Sequence, residues 1–230
     1  MSFAGRLSLV AVSVLAPVTV AQVPPGPIAD GGGVAHVDGG STAAPPAAAW
    51  PADPFAAGST SAEVRGGAYF STNAGPSSPR FDYVPVSIRR GWMLSGPDDY
   101  WWGRGNYECL CDLTGARATS GFGSWLAGPS LYLRFNWLEA DVPVVPYVQV
   151  GAGGVLSDAY RVRTQPAIGQ AFEYYLHYEV GVKCFVAPNL SVDVEGGLQH
   201  ISNGGMSSRN AGVNAIGATV GLTYYFPQRE

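Results

Sequence analysis

Charge is the scarcest property of this chain. Asp, Glu, Lys and Arg make up 13% of its 230 residues, and the net charge is −4. No basic patch of the kind that grips a nucleic-acid backbone can be assembled, so nucleic acid is excluded as a partner. After the first two dozen residues no stretch stays apolar for the ~20 positions that a membrane helix needs. Cysteine is scarce as well. Of the three, Cys109 and Cys111 lie two apart on one face of a strand-like segment, pointing in parallel and poorly placed to bridge. An odd count without metal-type spacing argues against a disulfide framework and a zinc site. Neither a metal nor a cofactor is expected.

Glycine is plentiful at 31 residues, and hydrophobic residues reach 47%. The first segment, MSFAGRLSLVAVSVLAPVTVAQ, holds one arginine, an apolar run and a small-residue Thr19-Val20-Ala21 end. It reads as a secretory signal peptide over residues 1–21. A retained anchor helix fits less well, because the run is short and Pro17 interrupts it. Residues 22–60 are rich in Pro, Ala and Gly, have no periodicity and read as a disordered tether, since they bury too little surface to offset chain entropy. Residues 61–230 form the folded unit.

From Ala62 to Phe226 the hydrophobic period is two, the signature of strands. Val64, Ala68 and Phe70 oppose Glu63, Arg65 and Tyr69. Val84, Val86 and Ile88 oppose Tyr83, Ser87 and Arg89. Tyr107, Cys109, Cys111 and Leu113 oppose Glu108 and Asp112, and Leu131, Leu133, Phe135 and Trp137 oppose Tyr132, Arg134 and Asn136. Val148 and Val150 oppose Tyr147 and Gln149. In AFEYYLHYEVGVKCF, Phe172, Tyr174, Leu176, Tyr178, Val180 and Val182 face away from Glu173, Tyr175, His177, Glu179 and Lys183. Leu190, Val192, Val194 and Leu198 oppose Ser191, Asp193, Glu195 and Gln199, and Ile216, Val220 and Leu222 oppose Thr219 and Thr223.

This pattern predicts eight strands, each near or above the ~9–11 residues that a tilted strand needs to cross a bilayer. Aromatic residues gather near the ends of the greasy faces, as in membrane girdles, while the polar faces carry both charge signs in small number. The fold expected is therefore an all-β, eight-stranded antiparallel transmembrane β-barrel of the outer membrane. A closed barrel spans lipid without an unpaired edge, and so few strands leave an interior filled by side chains instead of a pore. Turns at 95–100, 139–143 and 186–189 would face the periplasm. Loops near 74–80, 115–123, 157–170 and 203–212 would face outside. Trp101 and Trp102 read as interface anchors, and His177 as part of an interior polar network.

One stretch departs from the pattern. His200 and Ser202 fall in the register of Leu190, Val192, Val194 and Leu198, and Asn214 falls in the register of Ile216 and Val220 on the next strand. All three should therefore project towards lipid in the outer leaflet, where unpaired polar groups are costly and a cluster of them suggests function. A serine beside a histidine is the minimum for acyl transfer: imidazole accepts the hydroxyl proton and the oxygen attacks a carbonyl. Asn203 and Gly204-Gly205 could supply oxyanion donors. The bland reading of His200 and Ser202 is a strand end at headgroup level.

The segment His200-Ile201-Ser202-Asn203-Gly204-Gly205, with Asn210, Gly212 and the preceding FEYYLHYEVGVKCFVAPNLSVDVEGGLQ, resembles the lipid A 3-O-deacylase family over roughly the last hundred residues. The resemblance implies hydrolysis of the ester-linked 3-hydroxyacyl chain of lipid A without metal or cofactor. It assigns His200 as general base, Ser202 as nucleophile and Asn203 as a holder of the oxyanion, beside the Gly204 donor read from the residues themselves. It implies an outer-membrane location and a lipopolysaccharide partner, and it leaves homodimerisation open. The family carries a glutamate fourteen residues after the histidine, where this chain has Asn214. A slower Ser-His-Asn triad, a replacement acid or a dead barrel could follow, and the first is the expectation. Glu195 and Asp193, the nearest acids, point into the lumen by register. The alternative function is a small structural or adhesive barrel without chemistry, and a more distant one is a soluble secreted sandwich. Whether lipid A itself or another acylated lipid is the substrate stays open.

Overall fold

The computed structural model describes residues 54–72, 80–139 and 143–226. The signal peptide, the tether up to residue 53 and most of the loop at 74–80 lie outside the described residues. The strands are β1 (Thr60–Ser71), β2 (Phe81–Met93), β3 (Asp98–Tyr100), β4 (Gly103–Gly121), β5 (Trp125–Trp137), β6 (Val144–Ser157), β7 (Phe172–Ala187), β8 (Leu190–Ser202) and β9 (Val213–Phe226). Every pairing is antiparallel. β1 pairs with both β2 and β9, and β2 also pairs with β4. Eight long strands thus close into a barrel, with β3 added as a three-residue flap at one end of β4.

The barrel is inverted relative to a soluble protein, and the alternating pattern is the cause. Outward Val64, Val180 and Leu131 are about 60% exposed, whereas inward Arg134 is 1% and Lys183 and Glu108 are 0% exposed. Inside, Glu195 accepts hydrogen bonds from Arg89 (3.2 Å), Arg134 (3.3 Å), Tyr147 (3.0 Å) and Arg65. Lys183 Nζ lies 3.5 Å from Glu108 and 3.6 Å from Asp193. His177 joins this interior network, with its ring nitrogens 3.2 Å from Ser130 Oγ and Tyr132 OH. Glycine makes the packing fit: a Cβ on Gly181 would lie 2.4 Å from Tyr147 Cζ, so that ring could not lie over Arg134 as it does, 3.9 Å away. Charges buried this deeply persist because each meets a partner of opposite sign; removing one partner of such a pair costs about 3–5 kcal/mol.

Each mouth is plugged by an apolar cluster. At the end carrying the 203–212 loop, here the outer end, Tyr69, Phe81, Tyr83, Tyr175, Ile201 and Val213 pack with loop residues Ala167 and Ile168. At the inner end Phe55, Met93, Val145 and Tyr225 pack together. Phe55 belongs to the segment whose composition reads as tether, so the packed unit reaches five residues further back than β1 itself. The Phe55 ring meets Phe185 edge-on and Tyr225 at a tilt, centroids 5.8 and 5.9 Å away, and the Phe55 carbonyl accepts from Asn106 Nδ2 at 3.1 Å.

Two connections differ from expectation. Residues 115–121 continue β4, leaving a tight turn at Phe122–Ser124, because Ala118 N–H bonds Ser124 O and keeps the hairpin paired. The 95–100 turn contains β3, and the rings of its Tyr100 and of Trp102 in the turn that follows fold back onto the outer wall. They cover Phe135, with ring centroids 5.5 and 5.7 Å away, so this outward residue is only 6% exposed.

Candidate active site

β8 and β9 run side by side, and their register places His200 directly opposite Asn214. Ser202 follows two residues later on the same face, opposite Tyr174 of β7. The greasy outward side chains of the row beneath, Leu198 and Ile216, are both exposed. The three polar residues that the sequence singles out are thus brought together, at the outer end of the lipid-facing wall. The Asn214 carbonyl accepts the Thr72 N–H at 2.8 Å, which ties the start of β9 to the end of β1.

The side chains form a continuous chain of hydrogen bonds. Asn214 Oδ1 lies 2.7 Å from His200 Nδ1, and His200 Nε2 lies 2.9 Å from Ser202 Oγ. An amide oxygen can only accept, so Nδ1 carries the ring proton. Nε2 is then a bare lone pair, and the serine hydroxyl donates to it. This is the tautomer a general base requires.

A glycine packs against the imidazole. Gly212 has φ +73°, and a Cβ there would approach His200 Cε1 to 3.0 Å. Its backbone therefore lies against the imidazole, where any side chain would push the ring off Ser202. This contact lies ten residues from Ser202 in sequence, and only the closing of the loop brings it in.

Asn203 turns out to be the hub of the turn after the serine. It is fully buried. Its N–H donates to Asn210 Oδ1 at 2.8 Å, and its Nδ2 donates to Arg209 O at 3.0 Å and reaches Glu173 Oε1 at 3.5 Å. Its Oδ1 accepts from Gly205 and Ser207 N–H at 3.1 and 3.3 Å. Both donor groups that could have served an oxyanion are engaged inside the loop. Gly204, at φ +62°, sits beside the Tyr174 ring, and its N–H finds no acceptor among the described residues.

Residues that sequence reasoning missed hold this loop from behind. The Arg209 guanidinium donates to the carbonyls of Tyr160 (2.8 Å), Val162 (3.1 Å) and Gln165 (3.3 Å). Ala211 and Gly212 N–H bond Pro166 and Ala167 carbonyls. Glu173 accepts the N–H groups of Gly169 and Gln170 at 3.1 and 3.2 Å. An arginine that spends its fork on backbone carbonyls has no motif to betray it. The same 158–171 segment is tied down at its start by Asp158, which accepts the N–H groups of Ser124 and Trp125. Burial raises its carboxyl, and those N–H bonds outweigh that and hold it below the usual range.

Glu195 and Asp193 point inward, the first held by Arg65, Arg89 and Arg134 and the second by Thr223 and Lys183. Neither can stand in for an acid beside His200. Among the described residues no group of three or more His, Cys, Asp or Glu is arranged to hold a metal ion.

A family model described as lipid A 3-O-deacylase (PagL) matches residues 83–223, more than half of the chain. Among solved structures, Neisserial surface protein A superposes with a TM-score of 0.50 at 14% identity, covering 73% of this chain and 97% of that one. The outer membrane enzyme PagL gives 0.47 at 18% identity, covering 69% and 97%. The N-terminal β-barrel domain of Pseudomonas aeruginosa OprF gives 0.47 at 17%, covering 74% and 98%. No curated protein matches. At 14% identity the likeness to Neisserial surface protein A speaks to the fold alone, and the family rests on the match over residues 83–223: the chain is an outer-membrane β-barrel belonging to the lipid A 3-O-deacylase (PagL) family of ester hydrolases.

Proposed function

We propose that this barrel removes the ester-linked 3-hydroxyacyl chain of lipid A with Ser202 as nucleophile, His200 as general base and Asn214 as the residue that orients the imidazole. The observation that carries the reading is the unbroken Asn214–His200–Ser202 chain, 2.7 and 2.9 Å, on the lipid-facing wall. A substrate anchored in the outer leaflet would meet this wall from the side.

In the first half-reaction Ser202 Oγ attacks the ester carbonyl carbon while its proton passes to His200 Nε2. The negative oxygen of the tetrahedral intermediate takes the Gly204 N–H, and Asn203 keeps that turn in shape. Collapse breaks the bond to the sugar oxygen, which leaves with the proton from Nε2, and the acyl group stays on Ser202. Water then gives its proton to Nε2 and attacks the acyl-enzyme. The 3-hydroxy fatty acid departs and Ser202 regains its proton.

The second reading is a structural barrel without chemistry, and Asn214 is the observation in its favour, because an amide stabilises the imidazolium less than a carboxylate does. Mass spectrometry of lipid A from cells expressing the wild type, Ser202→Ala or no barrel separates the two. The enzyme reading expects a lipid A species lighter by one 3-hydroxyacyl chain with the wild type alone. An identical acyl pattern in all three sinks it.

A further inference from the structure

The outer wall carries one charged side chain at a depth that nothing above explains. Every outward position of β1, β5, β6, β7, β8 and β9 is uncharged, from Ala62 and Val64 through Leu222 and Tyr224. Arg117 on β4 lies towards the outer rim, but Arg90 lies on β2 three residues from its inner end at Met93. At ~3.3 Å per residue and a tilt of ~40°, its Cα stands roughly 8 Å above that end, within the lower edge of an apolar band ~25 Å tall.

The side chain bends back towards the membrane edge. Arg90 Nη2 donates to Thr60 Oγ1 at 2.8 Å, and its guanidinium lies 4.5 Å over the Phe226 ring, both in the last row of the wall. Of five guanidinium N–H groups this uses one, and no carboxylate pairs with Arg90 among the described residues. Arg90 itself lines a surface groove of about 630 Å³, with Ala62 and Tyr224 in its own row and Val64, Ile88, Leu113 and Leu222 in the next row up the wall; the inward-facing Glu63, Arg89 and Asp112 also border it.

We propose that Arg90 and this groove form a binding site for one glycerophospholipid of the inner leaflet. The phosphate diester would lie on the guanidinium fork and one acyl chain in the groove. A cation on a lipid-facing wall is expensive without a counter-anion, and at this depth the phosphate of a phospholipid is the anion on hand. The planar fork matches two phosphate oxygens at once, and such charge-assisted pairs are the strong ones. The groove starts where a chain leaving that headgroup would have to run. The site lies at the opposite end of the wall from His200 and Ser202, so it stands whether or not the barrel is catalytic.

The test is native mass spectrometry of the full chain released from nanodiscs containing phosphatidylglycerol, or in its place dioleoylglycerol, which has the tails and no phosphate. The wild type should retain one phosphatidylglycerol and shed dioleoylglycerol. Arg90→Gln should retain it about tenfold less, the low end expected for a lost charge-assisted hydrogen bond. Val64→Trp, which fills the groove and leaves Arg90 in place, should also lose it, and Arg90→Lys should keep part. Heat-dependent gel mobility confirms that each variant is a folded barrel. Equal retention by Arg90→Gln overturns the proposal, as does equal retention of dioleoylglycerol. Displacement of the lipid by millimolar inorganic phosphate would show a bare anion site and overturn the assignment to a phospholipid.

Discussion

Replacing Asn214 by aspartate tests the site at its weakest link. The side chains are isosteric, so the swap puts a carboxylate oxygen where Asn214 Oδ1 already stands, 2.7 Å from His200 Nδ1. Aspartate keeps the length of the asparagine side chain, whereas glutamate, the residue the family carries at this position, is one methylene longer. The tautomer is unchanged, so the whole effect should come from the imidazolium formed as Ser202 gives up its proton. Two unit charges ~4 Å apart attract by about 4 kcal/mol at an effective dielectric of ~20. Asn214 is exposed and His200 only half-buried, so screening cuts this to about 1–2 kcal/mol. At 1.36 kcal/mol per decade the deacylation rate should rise about five- to thirtyfold. The assay is the initial rate of 3-hydroxy fatty acid release from purified lipopolysaccharide in detergent, with Ser202→Ala as the blank. Asn214→Leu, which cannot accept from Nδ1, should fall to near that blank. A rate unchanged or lowered in Asn214→Asp, with the barrel folded, would refute the charge argument, and an unchanged rate in Asn214→Leu would refute the orienting role given to Asn214.

Other parts of the structure make their own predictions. Gly212→Val places a side chain against the His200 ring at a positive φ, and should cost at least tenfold in rate while gel mobility stays that of a folded barrel. Asn203→Ala removes the buried amide that ties Arg209 O to the N–H groups of Gly205 and Ser207, at about 1–3 kcal/mol for each group that water does not reach. Limited proteolysis should then cut within 203–212, and deacylation should fall with it. Glu195→Ala removes the carboxylate shared by three buried guanidiniums, each of which keeps another acid (Glu63 for Arg65 and Arg89, Asp112 for Arg89, Glu108 for Arg134), so urea titration of the refolded barrel should show a loss smaller than the about 3–5 kcal/mol of a fully unpaired buried charge. Asp158 binds its two N–H partners as the anion and its pKa is depressed, so that tie is complete above the ordinary carboxylate value near 4 and is lost only as pH falls through the lowered one. Amide exchange at Ser124 and Trp125 in micelles should stay protected through pH 4, and Asp158→Asn should remove the pH dependence.

The eight crossings, their facing and the outward placement of His200, Ser202 and Asn214 could all be read from the amino-acid order. A strand repeats every two residues, and the bilayer demands an uninterrupted apolar face, so membership of a face is a local property of the chain. Lipid, which is uniform, imposes the same rule on every strand. The sequence also shows that Asn214 stands at the acid position, and register alone sends Glu195 and Asp193 inward. What surrounds the site was not legible in this way. That Asn203 spends its donors inside the loop, that Arg209 laces 203–212 to the 160–169 carbonyls, and that Gly212 lies against the imidazole depend on irregular backbone. There hydrogen bonds join residues 30 to 49 positions apart and obey no period. The aromatic flap that covers Phe135 and the Phe55 plug that extends the packed unit are likewise contacts between segments with no shared pattern. Alternation decided which residues meet lipid. Loop closure decided how the histidine, the serine and the turn behind them are held.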